Sequence, residues 1–272
     1  GKFLRKIMRA LPPAPDASKI MFPGMRLSWK IPGLYDIQSV MDKSPLLSSM
    51  VTLIERTDSD LPDDVCDALA RACEREPEGT VARETLRIIL ESAALSRNSV
   101  LPICQDTGSI LAIVRAEPTK RVFDIERALR EGLRHLTKKG MLRQNCVDPL
   151  TGENTGDNLG EHVPQIHFIP TPGPATVSLM LKGGGSENMS AQYSLPDSVL
   201  DAGRDLDGVR RCILDALFKA QGRGCAPGIV GVCIGGDRAS GYLLAKEMLF
   251  RRLDEPNPVQ YLKLLEERVV EE

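Results

Sequence analysis

The spacing of apolar residues along the chain predicts helices first and a mixture of helices and strands afterwards. In residues 63–76 and 80–96, apolar side chains recur every three or four positions, as on one face of an amphipathic helix. From Ile110 onward, short apolar runs typical of strands alternate with longer stretches of helical periodicity. The predicted strands are residues 110–114, 165–169, 176–181 and 229–234, and the predicted helices are residues 124–139, 207–221, 240–253 and 258–272.

This order of elements predicts an α+β fold with a mixed sheet. We expect a helical part at about residues 51–98 and an α/β part at about residues 99–272. Asp124 is a candidate N-cap for a helix that buries Leu129 and Leu133. The final predicted helix ends without a capping residue, so we expect that more sequence follows or that its face awaits another subunit, and a solvated last helix is the simpler alternative.

Residues 1–50 form a separate N-terminal arm in this interpretation. Residues 1–30 are rich in Lys and Arg and contain one acidic residue, Asp16, a balance that occurs in organellar transit peptides. The prolines of this segment are equally typical of an irregular arm that packs on the body or on a partner. Both interpretations stay open at this point.

Composition narrows the functional classes. The chain has 272 residues, of which 42% are hydrophobic and 26% charged, and its longest apolar runs have the length of strands, so we expect no membrane span. The net charge of -2 does not favour nucleic-acid binding, and an acidic ligand must therefore meet a local group of donors. Seven cysteines, an odd number, favour a reducing, cytoplasmic compartment over a disulfide framework.

The densest group of reactive side chains lies in residues 101–108, with the sequence LPICQDTG. Cys104, Gln105, Asp106 and Thr107 stand in consecutive positions before a predicted strand. A deprotonated thiol is a soft ligand for iron or zinc, a carboxylate moves protons, and an amide orients a polar substrate. A buried cysteine followed by an Asp turn is the simpler alternative.

Two further cysteines lie in residues 222–236 and differ in their surroundings. Cys225 stands in a Gly/Pro-rich loop, which is the kind of segment that presents a ligand, whereas Cys233 alternates with apolar residues and is expected to be a core residue. The spacing is not that of a zinc ribbon. Ligands gathered from distant loops suit an iron–sulfur cluster better.

Two other segments could bind a carboxylate. The glycines of residues 181–188 (LKGGGSEN) allow backbone amides to approach an anion, although a plain tight turn explains them too. Arg143 offers a bidentate clamp and precedes a polar loop that ends in residues 154–158 (NTGDN). The three histidines are scattered, and no role is assigned to them.

Taken together and in this order, the segments PICQDTG, NTGDN, KGGGSEN and GCAPGIVGVCIGG closely resemble the class I iron–sulfur hydro-lyases. This family comprises class I fumarases and L(+)-tartrate dehydratases. The resemblance runs from about Leu53 to the end of the chain and covers the α subunit, or the N-terminal half of single-chain members. Residues 51–272 would then be an α-type catalytic domain that is incomplete at its C-terminal end.

The resemblance implies a [4Fe–4S] cluster held by three cysteines, with one iron left open to act as a Lewis acid on a 2-hydroxy acid. Cys104 and Cys225 match two of the ligands. Gln105, Arg143 and Gly185 match substrate-contacting positions, and Asp106 matches a residue implicated in proton transfer. These assignments are expectations from the resemblance, although Asp106 is also the best-placed carboxylate on local grounds.

One departure from the family affects the cofactor. The third cysteine of the family follows a Gly-rich segment that would begin soon after Glu272, and neither Cys146 nor Cys233 matches it. The cluster is therefore expected to be incomplete, and the chain inactive without a β subunit or C-terminal half. A homo- or hetero-oligomer is the expected assembly.

The expected reaction is the reversible hydration of fumarate to malate in the cytoplasm, with organellar targeting by the basic arm left open. L(+)-tartrate dehydration is the alternative within the family. A cluster-free binding or assembly module is the alternative from another class, favoured by the missing third cysteine and opposed by the intact CQDT grouping. A hydrolase with Cys104 as nucleophile would need an activating His, and none is close in sequence.

Overall fold

The computed structural model describes residues 44–119, 121–225 and 227–272, together with the backbone of the strand Ile7–Ala10. The rest of the predicted N-terminal arm, with its candidate targeting signal, lies outside the described residues. Within the described part, the chain forms two compact units. We call residues 44–61 and 92–182 the central unit, and residues 62–91 and 183–272 with the first strand the C-terminal unit.

After a first short strand, three consecutive helices precede a mixture of strands and helices. In chain order the described elements are β1 (Ile7–Ala10), α1 (Pro45–Ser59), α2 (Asp63–Arg75), α3 (Val81–Ser99), β2 (Ser109–Ala116), α4 (Arg121–Lys138), β3 (Gln165–Pro170), β4 (Thr176–Lys182), α5 (Gly184–Glu187), α6 (Leu206–Ala220), β5 (Ile229–Val232), α7 (Arg238–Met248) and α8 (Gln260–Glu271).

The central unit is built on a three-stranded mixed sheet in the order β3-β2-β4. Strand β2 pairs in parallel with β3, with Leu111 opposite Gln165, and antiparallel with β4, with Ile110 opposite Leu181. Being the middle strand, β2 is buried along nearly its whole length, which explains its continuous apolar run. The predicted mixed sheet and the α+β class are confirmed.

Helices α1 and α4 cover this sheet and pack against each other. The apolar face of α4 repeats every three to four residues, and Leu129, Leu133 and Leu136 on it are fully buried. Gly132 lies on the same helix where α1 approaches, because a Cβ at this position would stand 2.9 Å from Cδ1 of Ile54. The largest apolar core of the described chain lies here.

Two helix starts differ from the sequence prediction. Helix α1 begins at Pro45, within the segment predicted as an arm, because Ser44 caps it by accepting a hydrogen bond from the Leu47 amide at 3.3 Å. Asp124 is not an N-cap, since α4 begins at Arg121. It lies in the first turn of α4 and forms an ion pair with Arg127.

The C-terminal unit contains a second, two-stranded parallel sheet of β1 and β5. Helix α7 packs on β5 so closely that a Cβ at Gly231 would lie 2.0 Å from the carbonyl oxygen of Ala245. Helices α6 and α8 meet through Ile213, Leu265 and Val269. Among the described residues, no helix combines the length and hydropathy that a membrane crossing needs.

Candidate active site

The loop formed by residues 101–108, which we call the thiol loop, lies in the central unit between α3 and β2. Its first half is fixed by backbone hydrogen bonds, since the Leu101 amide donates to Ser96 at 3.1 Å and the Ile103 amide donates to Asp58 at 2.8 Å. Its second half is fixed by the buried side chain of Thr107. Both ends of the loop are therefore held, while the side chains between them reach the surface.

Cys104 and Asp106 lie next to each other within this loop. The side chains of Cys104 and Gln105 are exposed, and that of Asp106 is half-buried. The backbone amide of Asp106 donates to Sγ of Cys104 at 3.4 Å. The sulfur atom is therefore exposed, and one backbone N–H group is directed at it.

Arg143 is brought to the thiol loop by the segment that follows α4. The carbonyl oxygen of Arg143 accepts a hydrogen bond from Oγ1 of Thr107 at 3.0 Å, and its Nη1 makes a long hydrogen bond, 3.4 Å, to the carbonyl oxygen of Gln105. The guanidinium group is exposed. The central unit thus brings together Cys104, Asp106 and Arg143, which lie up to 39 positions apart in sequence.

Two asparagines that sequence reasoning did not single out complete this group. Nδ2 of Asn145 donates a hydrogen bond to Oδ1 of Asp106, and the Gly108 amide donates to the same oxygen at 3.0 Å. Asn158 is 1% exposed and adopts a left-handed φ of 57°. The Asn145–Asp106 contact left no local signal in the sequence, because it joins residues 39 positions apart. Asn is one of the few residue types that adopt a left-handed backbone readily, which agrees with the φ of Asn158.

The Gly-rich segment lies in the C-terminal unit, where it forms the short helix α5 after Gly183. Gly185 stands beside Cys225, because a Cβ at Gly185 would lie 3.9 Å from Sγ of Cys225 and 3.8 Å from the carbonyl oxygen of Arg223. Nζ of Lys246, on α7, contacts Oε1 of Glu187 at 2.5 Å. The segment therefore forms a turn of helix, whereas the simpler alternative was a plain tight turn.

The two cysteines of residues 222–236 differ in their exposure. Cys225 was predicted in a loop that presents a ligand, and Cys233 was predicted as a core residue. Cys225 is exposed. Cys233 lies just beyond the end of β5, is half-buried, and lines a cavity of about 320 Å³ with Leu206 and Tyr261. It was expected inside the strand, but β5 already ends at Val232. Burial nevertheless raises the pKa of the Cys233 thiol, which disfavours the thiolate form.

The site residues therefore form two groups, one in each unit. The central unit brings together Cys104, Gln105, Asp106 and Arg143, and the C-terminal unit brings together Gly185 and Cys225. In the part of the chain that the structure describes, no three His, Cys, Asp or Glu side chains gather as ligands of a single metal ion. Cys104 and Cys225 each present an exposed thiol, which is the type of donor that an iron–sulfur cluster takes from a protein.

Two titratable side chains, on α1 and α4, are buried in the central unit. Burial raises the pKa of Asp58 to about 6, and its Oδ2 makes no hydrogen bond within the described residues. His135 on α4 is also buried, and burial together with nearby Lys139 lowers the pKa of its imidazole.

The sequence of the chain is similar to known proteins over most of its length. A sequence model of the family described as fumarate hydratase (fumerase) matches residues 47–272. The chain is 46% identical over 230 residues to a Geobacillus stearothermophilus protein provisionally named as a class I fumarate hydratase, and the match covers 83% of this chain and 45% of that protein. The chain thus spans about half the length of this relative.

Two further relatives are named as α subunits of L(+)-tartrate dehydratase. A Methanocaldococcus jannaschii protein, provisionally named as the α subunit of L(+)-tartrate dehydratase, is 31% identical over 217 residues, which cover 78% of this chain and 74% of that protein. The α subunit of L(+)-tartrate dehydratase from Escherichia coli strain K12 is 27% identical over 208 residues, covering 73% of this chain and 65% of that protein.

Proposed function

Because the chain belongs to the fumarate hydratase family, we propose that it is the α portion of an iron–sulfur hydro-lyase that reversibly hydrates fumarate to malate. One observation carries this proposal above the others. An exposed thiol, a carboxylate and an exposed guanidinium group, those of Cys104, Asp106 and Arg143, are held beside one another by a single network of hydrogen bonds. A binding scaffold has no physical need for this combination.

The cofactor of the proposed enzyme is a [4Fe–4S] cluster, for which Cys104 and Cys225 would supply two ligands. Both thiols are exposed, and both stand on loops fixed by their neighbours rather than in a core. When bound, such a cluster supplies a Lewis acid that weakens the C–O bond of a 2-hydroxy acid. The third cysteine ligand would come from sequence outside this chain.

The remaining chemistry falls to side chains of this chain. Hydration adds a hydroxyl group to one alkene carbon and a proton to the other, and we assign proton transfer to the Asp106 carboxylate. Arg143 would bind a substrate carboxylate through its fork of N–H donors, and Gln105 would orient the substrate by hydrogen bonding. Gly185 would allow the backbone of α5 to approach the substrate closely, since it carries no side chain.

The proposal extends to partners and compartment. A β subunit or C-terminal half would complete the active site, in a homo- or hetero-oligomer, and residues 51–272 would be the α-type catalytic domain. Seven cysteines without a disulfide among those that the structure describes fit a reducing compartment, and we place the enzyme in the cytoplasm.

Fumarate is favoured over tartrate as the substrate by sequence identity. The relative that is named as a fumarate hydratase is 46% identical, whereas those named as tartrate dehydratase α subunits are 31% and 27% identical. Substrate choice between such similar acids depends on a few contacts in the pocket. Tartrate dehydration therefore remains the second candidate and is included in the test.

The test uses this chain assembled with the complementary portion of the enzyme and reconstituted anaerobically with iron and sulfide. We expect fumarate to be consumed and malate formed, with L(+)-tartrate turned over more slowly. Faster turnover of tartrate would assign the alternative substrate. An assembled protein that binds iron and sulfide but acts on neither acid would contradict the proposed activity, and one that binds no iron would favour the cluster-free module.

A further inference from the structure

We propose that Asn145 is a positioning residue that fixes the orientation of the Asp106 carboxylate, and that the buried side chain of Asn158 holds Asn145 in place. This inference rests on the proposed function, because it gives Asp106 its role. It concerns two residues that the family resemblance did not assign.

Two donors meet on one oxygen atom of Asp106. Nδ2 of Asn145 and the backbone amide of Gly108 both donate to Oδ1, the latter at 3.0 Å. The Gly108 bond comes from within the thiol loop and would form in any Asx turn. The Asn145 bond comes from another segment, the one that also carries Arg143, so it links the carboxylate to the backbone that follows Arg143.

The other end of the Asn145 amide shows that packing does not explain the residue. Its Oδ1 is buried and makes no hydrogen bond to any residue that the structure describes. An unpaired buried acceptor costs free energy, so a shorter apolar side chain would be the better choice if only space had to be filled. The amide is therefore best explained by the hydrogen bond that its Nδ2 donates to Asp106.

Asn158 holds the backbone that carries Asn145. Its Oδ1 accepts from the amides of Asn145 at 2.8 Å and of Cys146 at 3.2 Å. Its Nδ2 donates to the carbonyl oxygen of Arg143 at 2.8 Å and to Oγ1 of Thr137, on α4, at 3.0 Å. The side chain of Asn158 thus binds backbone groups on both sides of Asn145 and connects this segment to α4.

The main test is steady-state hydration of fumarate by the assembled, cluster-loaded enzyme with substitutions at residue 145. We expect Asn145→Ala to lower kcat about tenfold or more with KM changed less than about twofold, because the contact acts on an acid/base group and not on substrate binding. Asn145→Asp has nearly the same shape but directs a negative acceptor at Asp106. We expect it to be at least as impaired as Asn145→Ala.

A merely structural role for Asn145 predicts the opposite order, because the isosteric Asp would fill the space better than Ala. An Asn145→Asp enzyme with higher kcat than Asn145→Ala would therefore overturn the proposal, as would unchanged kcat in both. If Asn145→Ala does not fold, the proposal is tested by comparing kcat of the Asn145→Asp enzyme with that of the wild type, and an unchanged kcat would overturn it. Asn98→Ala is the matched control, since Asn98 is an exposed asparagine near the end of α3 in the same unit, and we expect its kcat to stay within about threefold of the wild-type value.

A second measurement does not depend on activity. Thermal unfolding of the 272-residue chain with Asn145→Ala, Asp106→Ala and both changes forms a double-mutant cycle, because each single change removes the hydrogen bond. A hydrogen bond between the two side chains predicts that the losses in Tm are less than additive, and additive losses would overturn the contact. If the wild-type enzyme hydrates fumarate but the losses in Tm are additive, only the role of Asn145 is refuted. If the wild-type enzyme acts on neither fumarate nor tartrate, the proposed function is refuted.

Discussion

The amide of Ile103 donates a hydrogen bond to the carbonyl oxygen of Asp58 at 2.8 Å, and this bond attaches the thiol loop to the last turn of α1. The side chain of Asp58 is buried, while Cys104, the neighbour of Ile103, is exposed. A titratable group thus lies directly below a loop that presents a candidate metal ligand. The stability of this part of the central unit should therefore depend on pH.

The first prediction concerns the pH dependence of stability. The pKa of Asp58 is raised to about 6 in the folded chain from the ordinary value of 3.8. Between these values the folded state binds more protons than the unfolded state, so the free energy of unfolding falls as pH rises through this window. Ionised Asp58 then costs on the order of 3 kcal/mol at neutral pH. We expect Asp58→Asn to stabilise the chain at a pH of about 7.5 and to have little effect at about 4.

Urea unfolding of the full chain at the two pH values measures this difference. Glu161→Gln is the control, because it removes one negative charge from a side chain in the same unit that is 88% exposed. We expect no comparable stabilisation from it at either pH. A destabilising effect of Asp58→Asn at the higher pH would show that the carboxylate has a favourable partner and would contradict the prediction.

The second prediction concerns the contact between β5 and α7. A Cβ at Gly231 would lie 2.0 Å from the backbone carbonyl oxygen of Ala245, and backbone cannot move aside as a flexible side chain can. We expect Gly231→Ala to destabilise the chain by about 3 kcal/mol. Gly228→Ala, three positions earlier, introduces a Cβ with no atom within 4 Å and should leave the unfolding midpoint nearly unchanged. Equal effects of the two changes would disprove the close approach.

The third prediction concerns the core of the central unit. Leu129 on α4 is 0% exposed and lies in the main apolar cluster. Leu129→Ala should destabilise the chain by about 2–5 kcal/mol, because both transfer free energy and packing are lost. Leu150 is 93% exposed, and the same change there should alter stability by less than about 0.5 kcal/mol. Chemical unfolding of both variants tests whether α4 forms the centre of this core.

The fourth prediction concerns the binding of a dicarboxylate by Arg143. Lys retains the charge but loses the planar fork that binds a carboxylate with two hydrogen bonds, so Arg143→Lys should raise KM for fumarate about tenfold. Arg127→Lys, at a side chain that is 71% exposed on α4, should not change KM. Unaltered KM in Arg143→Lys would remove Arg143 from the proposed site.

Periodicity was sufficient to predict the elements that contain a repeated apolar pattern. The helices α2, α3 and α4 and the strands β2 and β4 were predicted with their ends within a few residues. The helices bury one apolar face, and β2 is apolar throughout because it is buried along nearly its whole length. Helix α1 was missed, since its Pro45 start was attributed to the proline-containing arm before it. Pro45 in fact stands in the first turn, where a missing N–H group costs nothing.

The candidate site was predictable in part for a different reason. Neighbouring positions such as Cys104 and Asp106 show their chemistry in the sequence itself, and Arg143 could be singled out by residue type. Contacts such as that between Asn145 and Asp106 depend on how the chain returns after α4, 39 residues later. Neither the composition of the chain nor its apolar periodicity shows which residues meet over such a separation, so the tertiary structure was needed to find this contact.

The carbonyl oxygen of Arg143 accepts hydrogen bonds from both Thr107 and Asn158, and both of these residues are buried. The main chain at Arg143 is thereby restricted, whereas the guanidinium group remains in contact with solvent. An incoming anion would therefore restrict only the rotamers of one side chain, and the entropy lost on association would be smaller than for an arginine on a mobile loop.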